Sequence, residues 1–289
     1  MQNIIDIKNR SDSIKETAQI TKAMEMISTS KLRKANIKFL SNAAYFNKVR
    51  ATIKDILHHT AGNIAHPYLC DRQGERTAYI IIASDKGLAG DYNQKVLKHA
   101  YEEISAQSER YLFVIGHMAK AFFQARGMSP DIEYLHAAQT PTLDDARGIT
   151  NDLLEMYDNQ LIDSIKIIYT KMVSATVQQP VTMRLLPLVP EDFTDIASEP
   201  SYNAILYFEP SPKKVFDILV PQYIIGIVYS CLIQSIYSEH YERIRTMHNA
   251  TQNAYELIEK LDLEYNRVRQ EMVTTEIAEI SSSSLFKRE

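Results

Sequence analysis

The stretch whose residue types come nearest to a reactive site is Ser84-Asp85-Lys86-Gly87-Leu88-Ala89-Gly90-Asp91-Tyr92-Asn93. It follows an apolar, β-branched run and precedes a run of helix formers. A glycine-containing turn in that setting can hold phosphate on the amides of a helix N-terminus. Here there is neither G-x-G-x-x-G nor G-x-x-x-x-G-K-[ST], and Asp85 and Asp91 would repel a phosphate. The glycines therefore read as a tight turn needing positive φ. His58 and His59 are adjacent, so on a helix they point about 100° apart and do not easily share a metal. Cys70 has no histidine or cysteine at ligand spacing. No G-x-S-x-G elbow is present, and no acid pair stands out among thirty-six carboxylates. No catalytic residue, metal or cofactor is expected.

The elements that would position any function are at the two ends. Ile227 to Glu289 contains no glycine or proline. Its apolar stripe runs Tyr237, Tyr241, Ile244, Met247, Ala250, Ala254, Ile258, Leu261, Tyr265, Val268, Met272, in steps of three or four. At about 1.5 Å per residue this helix would be roughly 80–90 Å long, too long to bury in one small core. It needs a partner helix, a sleeve of other proteins, or both. Met1 to Ala61 also lacks glycine and proline, with apolar positions including Ile4, Ile7, Ile14, Ala18, Met24, Ile27, Ala35, Phe39, Phe46, Val49, Ile53 and Ile56. That stripe is looser, broken by Ser11 and by Ser28-Thr29-Ser30, so an irregular coiled coil with close backbones is expected rather than a leucine zipper.

Between the helices the period changes. Thr77–Ser84, Tyr111–Ile115, Ile132–Leu135, Ser164–Met172 and Val181–Leu186 read as strands. Helices are expected over Asn93–Ser105, Met118–Arg126 (ended by Gly127) and Leu143–Tyr157, the last started by Pro141 and Thr142. This alternation predicts a small α/β layer domain with a largely parallel, Rossmann-like sheet. Loops are expected over His58–Gln73 and over proline-rich Pro187–Pro212. The fold class is thus a mix of α+β and α/β: an antiparallel coiled coil of long terminal helices with an inserted α/β domain. The expected divisions are a first shaft helix (1–61), a foot domain (75–190) and a C-terminal shaft helix (210–289).

Charge favours pairing of the ends. Residues 1–54 hold eleven Lys/Arg against four acids, while 239–289 hold ten acids against seven Lys/Arg. Surface pairs of this kind add only about 0–1 kcal/mol each, so charge selects partners more than it stabilises. The basic helix lacks aromatic interleaving beyond Phe39, Tyr45 and Phe46, which argues against nucleic acid as a partner. Its run of charge is open to two readings, a solvated face or contact with an acidic partner. Cys70 and Cys231 form no metal-spacing motif, and the default is a reducing compartment. The start of the chain is an amphipathic charged helix rather than an apolar signal segment. The apolar run Tyr223–Ile233 is about half of the roughly 20 residues that span a bilayer. Attachment to a membrane is expected only through partners.

Four stretches, in order, resemble the gamma subunit of the F-type ATP synthase. They are ITKAMEMISTSKLRKA (Ile20–Ala35), SDKGLAGDYN (Ser84–Asn93, where the family usually has cysteine at Ala89) and EPSPK (Glu209–Lys213). The fourth, Ser238–Ile280, carries S-E-H-Y-E-R, N-A-T-x-N-A, L-E-Y-N-R-x-R-Q and V-T-T-E-I-A-E-I. The chain departs from the family at Ser281–Ser284, where Gly-Ala is usual, and at Ser11, where an apolar residue is usual. The resemblance implies a rotor shaft with no catalytic site of its own, standing in a ring of alpha and beta subunits. Its foot would meet the epsilon subunit and the membrane c-ring, at the cytoplasmic face of a bacterial-type cell membrane. Carried over by position, Arg243, Gln270, Thr274 and Glu276 match residues that contact the beta subunits or the N-terminal helix near Met24. Met24, flanked by Lys22 and Glu25, matches a position where bulk or added charge disturbs coupling. Each of these also fits an ordinary seam or surface residue. The residues alone leave open a coiled-coil tether and a small nucleotide-binding α/β protein.

Overall fold

In the computed structural model, the structure describes residues 4–59, 66–70, 72, 74–135, 137–174, 177–189, 193, 209 and 211–286. Side chains of 42–45, 58–59, 212 and 282–286 lie outside that description, so the readings of His58, His59 and Ser282–Ser284 fall beyond it. So do most of the loops expected over 58–73 and 187–212. The elements are α1 (Ile4–His59), β1 (Thr77–Ile82), α2 (Tyr92–Ser105), β2 (Arg110–Ile115), α3 (His117–Gln124), β3 (Ile132–Tyr134), α4 (Leu143–Asp158), β4 (Ser164–Met172), β5 (Gln178–Leu186) and α5 (Pro212–Phe286). The chain divides into two compact units, Met1–Thr29 with Arg243–Glu289, and Ser30–Glu242.

The larger unit is built on a five-stranded sheet ordered β3-β2-β1-β4-β5. The first four strands are parallel and β5 returns antiparallel to β4. Every residue of β1 is buried. Its side chains alternate between two apolar clusters, as a strand covered on both faces requires. Ala78, Ile80 and Ile82 join Ile53 and Ile56 of α1, Leu153 and Tyr157 of α4, and Ile224 and Val228 of α5. Tyr79 and Ile81 join Val96, Leu97, Ala100 and Ile104 of α2 and Phe123 of α3. α4 begins with a reciprocal cap: Thr142 Oγ1 accepts from the Asp145 amide at 3.1 Å, and the Asp145 carboxylate accepts from the Thr142 amide at 2.8 Å.

α5, inside the span 210–289 expected for the C-terminal helix, begins at Pro212 and runs through both Pro221 and Gly226. Gly226 is explained by packing, because a Cβ there would lie 2.4 Å from the Phe46 ring, which is stacked on Tyr223. An 18-residue window of α5 also reaches a mean hydropathy of 1.7, long and apolar enough to cross a membrane, with 61% of it buried inside the fold. Burial of that kind is what the core helix of a domain shows. In the Ser84–Asn93 turn, positive φ falls at Leu88 (61°) and Gly90 (56°), not at Gly87.

Candidate functional site

The smaller unit is a pair of helices, and three contacts set its direction. Ser11 Oγ donates to Asp262 Oδ1 at 3.4 Å, Thr21 and Thr251 hydroxyls meet at 2.7 Å, and Glu25 Oε1 lies 3.6 Å from His248 Nδ1. As α1 numbers rise, α5 numbers fall at the same pace, so the helices are antiparallel. On α1 the inward positions are Ile7, Ser11, Ile14, Ala18, Thr21, Glu25 and Ser28. Their spacing alternates four and three, as in a heptad seam. On α5 the corresponding positions are Met247, Thr251, Ala254, Ile258, Leu261, Tyr265 and Val268. The expected irregular stripe is therefore regular in spacing and unusual only in residue type.

Ser11 and Ser28, which looked like interruptions, are buried in the seam, while Ile27 is 59% exposed. Thr251 takes the buried position, with Ala250 only half-buried, and Met272 is exposed. Small seam residues let the helices approach closely, but they bury little apolar surface. The unit's outer surface keeps large apolar residues in the open: Ile20, Met26, Leu263, Ile277 and Ile280 are each at least 60% exposed. These residues are spaced singly along the two helices.

The residues singled out from the sequence fall into separate places on this pair. Met24 is half-buried. Lys22 is exposed and donates to both oxygens of Glu25 at 3.1 Å. Arg243 is buried, within roughly two turns of His248 on α5. Gln270, Thr274 and Glu276 are fully on the surface, and Thr274 Oγ1 donates to the Gln270 carbonyl at 2.8 Å. The pairing of Glu25 with His248 puts Gln270 roughly 30 Å along the axis from Met24, so these three do not reach the N-terminal helix near Met24. Sequence reasoning passed over Thr21, Glu25, Thr251 and His248 as cross-helix contacts. The alternating four-three spacing of small polar residues in phase with Ile7 and Ile14 would have found the α1 members.

Charge acts mostly along each helix, as in Lys15–Asp12, Lys22–Glu25 and Arg267–Glu271. In the larger unit the Ser84 loop folds on itself. Its amide and hydroxyl both donate to Asn93 Oδ1, at 3.0 and 2.9 Å, which fastens the turn to the start of α2. Asp91, the residue before α2, makes no side-chain cap and pairs with Lys95 at 2.8 Å. That turn is held by its own side chains and presents two carboxylates, an arrangement unsuited to a phosphate. Cys70 is an exposed thiol and Cys231 a buried one, whose pKa burial pushes up.

These features define a class: a helix-pair protein with an inserted, mostly parallel α/β domain and an outer surface prepared for partners. The family model described as ATP synthase matches residues 3–284. The ATP synthase gamma chain of Alkaliphilus metalliredigens is 39% identical over 280 residues, covering 96% of both chains. That of Caldanaerobacter subterraneus subsp. tengcongensis is 40% identical over 288 residues, covering 95% of this chain and 97% of the other. The chain belongs to the ATP synthase gamma-chain family. Its fold is also shared with a chain of the Euglena gracilis mitochondrial ATP synthase, seen in an OSCP/F1/c-ring structure, at a TM-score of 0.66 and 17% identity, over 97% of this chain and 93% of that one. A central stalk/c-ring structure from Tetrahymena thermophila gives a TM-score of 0.60 at 19% identity, over 80% of this chain and 99% of that one.

Proposed function

We propose that this chain is the central rotor shaft of an F-type ATP synthase, coupling ion flow through a membrane sector to ATP synthesis and hydrolysis at the beta subunits. The observation that carries this reading is the antiparallel helix pair with its apolar residues left outside, in a chain about 40% identical to gamma chains along nearly its whole length. A shaft turning in a sleeve needs many weak, exchangeable contacts rather than one deep apolar lock. Single exposed apolar residues spaced along two helices supply such contacts. The chain contributes asymmetry and no catalytic group. Each shaft orientation favours one nucleotide state of the ring, and by linkage each nucleotide state favours that orientation.

In this reading the sheet domain is the foot, set against the epsilon subunit and the c-ring, and the titles of related structures name a rotor, a central stalk and a c-ring. The complex stands at the cytoplasmic face of a cell membrane, and this chain reaches the membrane only through its partners. Lys22 and Met24 belong to the coupling surface at one level of the helix pair, Arg243 acts from a buried position on α5, and Gln270, Thr274 and Glu276 form a second surface further along α5.

Mixing the purified chain with alpha and beta subunits tests the assignment. Co-elution with ATPase activity is the expected result, and elution apart from an active ring would overturn it. Met24→Lys is expected to lower ions pumped per ATP hydrolysed while assembly persists. Equal pumping in mutant and parent vesicles would remove Met24 from the coupling surface.

A further inference from the structure

The turn of α1 that carries Met24 is bracketed by two polar cross-helix contacts. The Thr21 and Thr251 hydroxyls are 2.7 Å apart, and these residues are 9% and 3% exposed. Thr21 Oγ1 is also 3.1 Å from the Ala18 carbonyl, and Thr251 Oγ1 is 2.8 Å from the Met247 carbonyl. A hydroxyl has one proton. One threonine therefore donates across the seam while the other donates to its own helix. A turn later, Glu25 accepts from Lys22 at 3.1 Å and lies 3.6 Å from His248. The neighbouring seam residues Ala18, Ser28 and Ala254 are small, with Met247 the large apolar side chain among them, so side-chain shape constrains helix rotation less here than in a seam of large residues.

We propose that the Thr21–Thr251 hydroxyl pair, with the Glu25–His248 contact a turn later, is a clasp that fixes the rotational phase of α1 against α5 over the turn bearing Met24. A hydrogen bond between two buried side chains is directional. It is kept only when both face the seam, whereas small apolar side chains tolerate rotation. Buried polar groups in a helix seam set geometry rather than maximise stability. Because each threonine can fall back on its own helix carbonyl, breaking the cross-seam bond leaves no hydroxyl without an acceptor. The clasp therefore governs phase and not whether the helices form.

Spin labels at Gln19→Cys and Gln252→Cys, both exposed positions, report that phase in the full chain. The background carries Cys70→Ser, and buried Cys231 stays unlabelled. The parent is expected to give one narrow label-to-label distance. Thr21→Val with Thr251→Val, nearly the same shape without hydroxyls, is expected to lose that single distance while melting no earlier than the parent. Thr21→Ser with Thr251→Ser is expected to restore it. A valine pair as narrow and as placed as the parent overturns the clasp. Should the valine pair lose helix content, Thr21→Val alone gives the same test. One further arm rests on the rotor reading: in the assembled complex the valine pair is expected to lower ions pumped per ATP while hydrolysis continues. A broadened distance with unchanged pumping overturns the link from this turn to coupling and leaves the phase result standing.

Discussion

The sheet unit and the helix-pair unit use opposite materials. In the first, Ile80, Ile81, Phe113, Phe123 and Tyr157 are fully buried and meet on both faces of one sheet. In the second, the inward positions include Ser11, Ala18, Thr21, Ser28, Thr251 and Ala254, and large apolar side chains such as Leu263 and Ile277 point outward. Both units leave some large apolar side chains exposed, Ile37, Leu40 and Ile218 in the first as well as Leu263 and Ile277 in the second. They differ inside: the sheet core is almost wholly large and apolar, whereas the helix seam mixes Ile7, Met247 and Leu261 with small and hydroxyl residues.

The most severe way to break that comparison is Phe113→Ala, which deletes a fully buried ring on β2 from the cluster that joins the sheet to α1, α4 and α5. A loss of about 3–5 kcal/mol is expected. Hydrogen exchange read by peptide should rise across β1, β2 and β4 and stay near the parent rate in 4–29. An equal rise in both would show that the two units unfold as one. Gly226→Ala is expected to be milder. The new Cβ would meet Phe46 at 2.4 Å, yet that ring borders a cavity of about 220 Å³ lined by Phe39, Ile225, Tyr229 and Ile233. Overpacking costs about 1–3 kcal/mol and the gain in helix propensity returns up to about 1, so a small net loss remains. Phe46→Leu should rescue it in thermal melts; no rescue would place the strain elsewhere.

Asp163→Asn sharpens the contrast in pH dependence. The buried Asp163 carboxylate accepts from the Arg76 guanidinium at 2.9 and 2.8 Å, which holds it below its ordinary carboxylate value. A lowered folded pKa means stability that is full above the unfolded value of about 3.9 and is lost as pH falls through the folded one. The parent sheet unit is therefore expected to weaken at the acid end, and the asparagine variant to be less stable at neutral pH with a flatter acid limb. Parallel limbs in the two proteins would dismiss the pair as the cause. The smallest effect is expected from Gln270→Ala. Its side chain is exposed, so stability should change by no more than about 0.5 kcal/mol. A fall in ions pumped per ATP without a fall in melting temperature would place Gln270 on the coupling surface, and no change in either would remove it.

Much of this was legible in the chain. Three- and four-residue spacing marked both terminal helices, and β-branched apolar runs marked β1 and β4, because those periods follow from backbone geometry alone. Thr142 gave the start of α4 because its cap is a contact between residues three apart. Other features were hidden for equally physical reasons. Pro221 and Gly226 are residue types that disfavour a helix interior, yet α5 passes through both, since tertiary packing overrides local propensity. Leu88 takes a positive φ that side-chain type would assign to Gly87, a strain of roughly 1–2 kcal/mol that only the surrounding turn can hold.

Sequence by itself determined that two long helices flank a parallel α/β domain, because periodicity, breakers and β-branched runs are local properties. Which faces of those helices meet was decided only in three dimensions. Ser11, Thr21 and Ser28 look like surface residues until the opposite helix supplies Asp262 and Thr251. Their burial depends on a neighbour more than two hundred residues away, and no local rule carries that information.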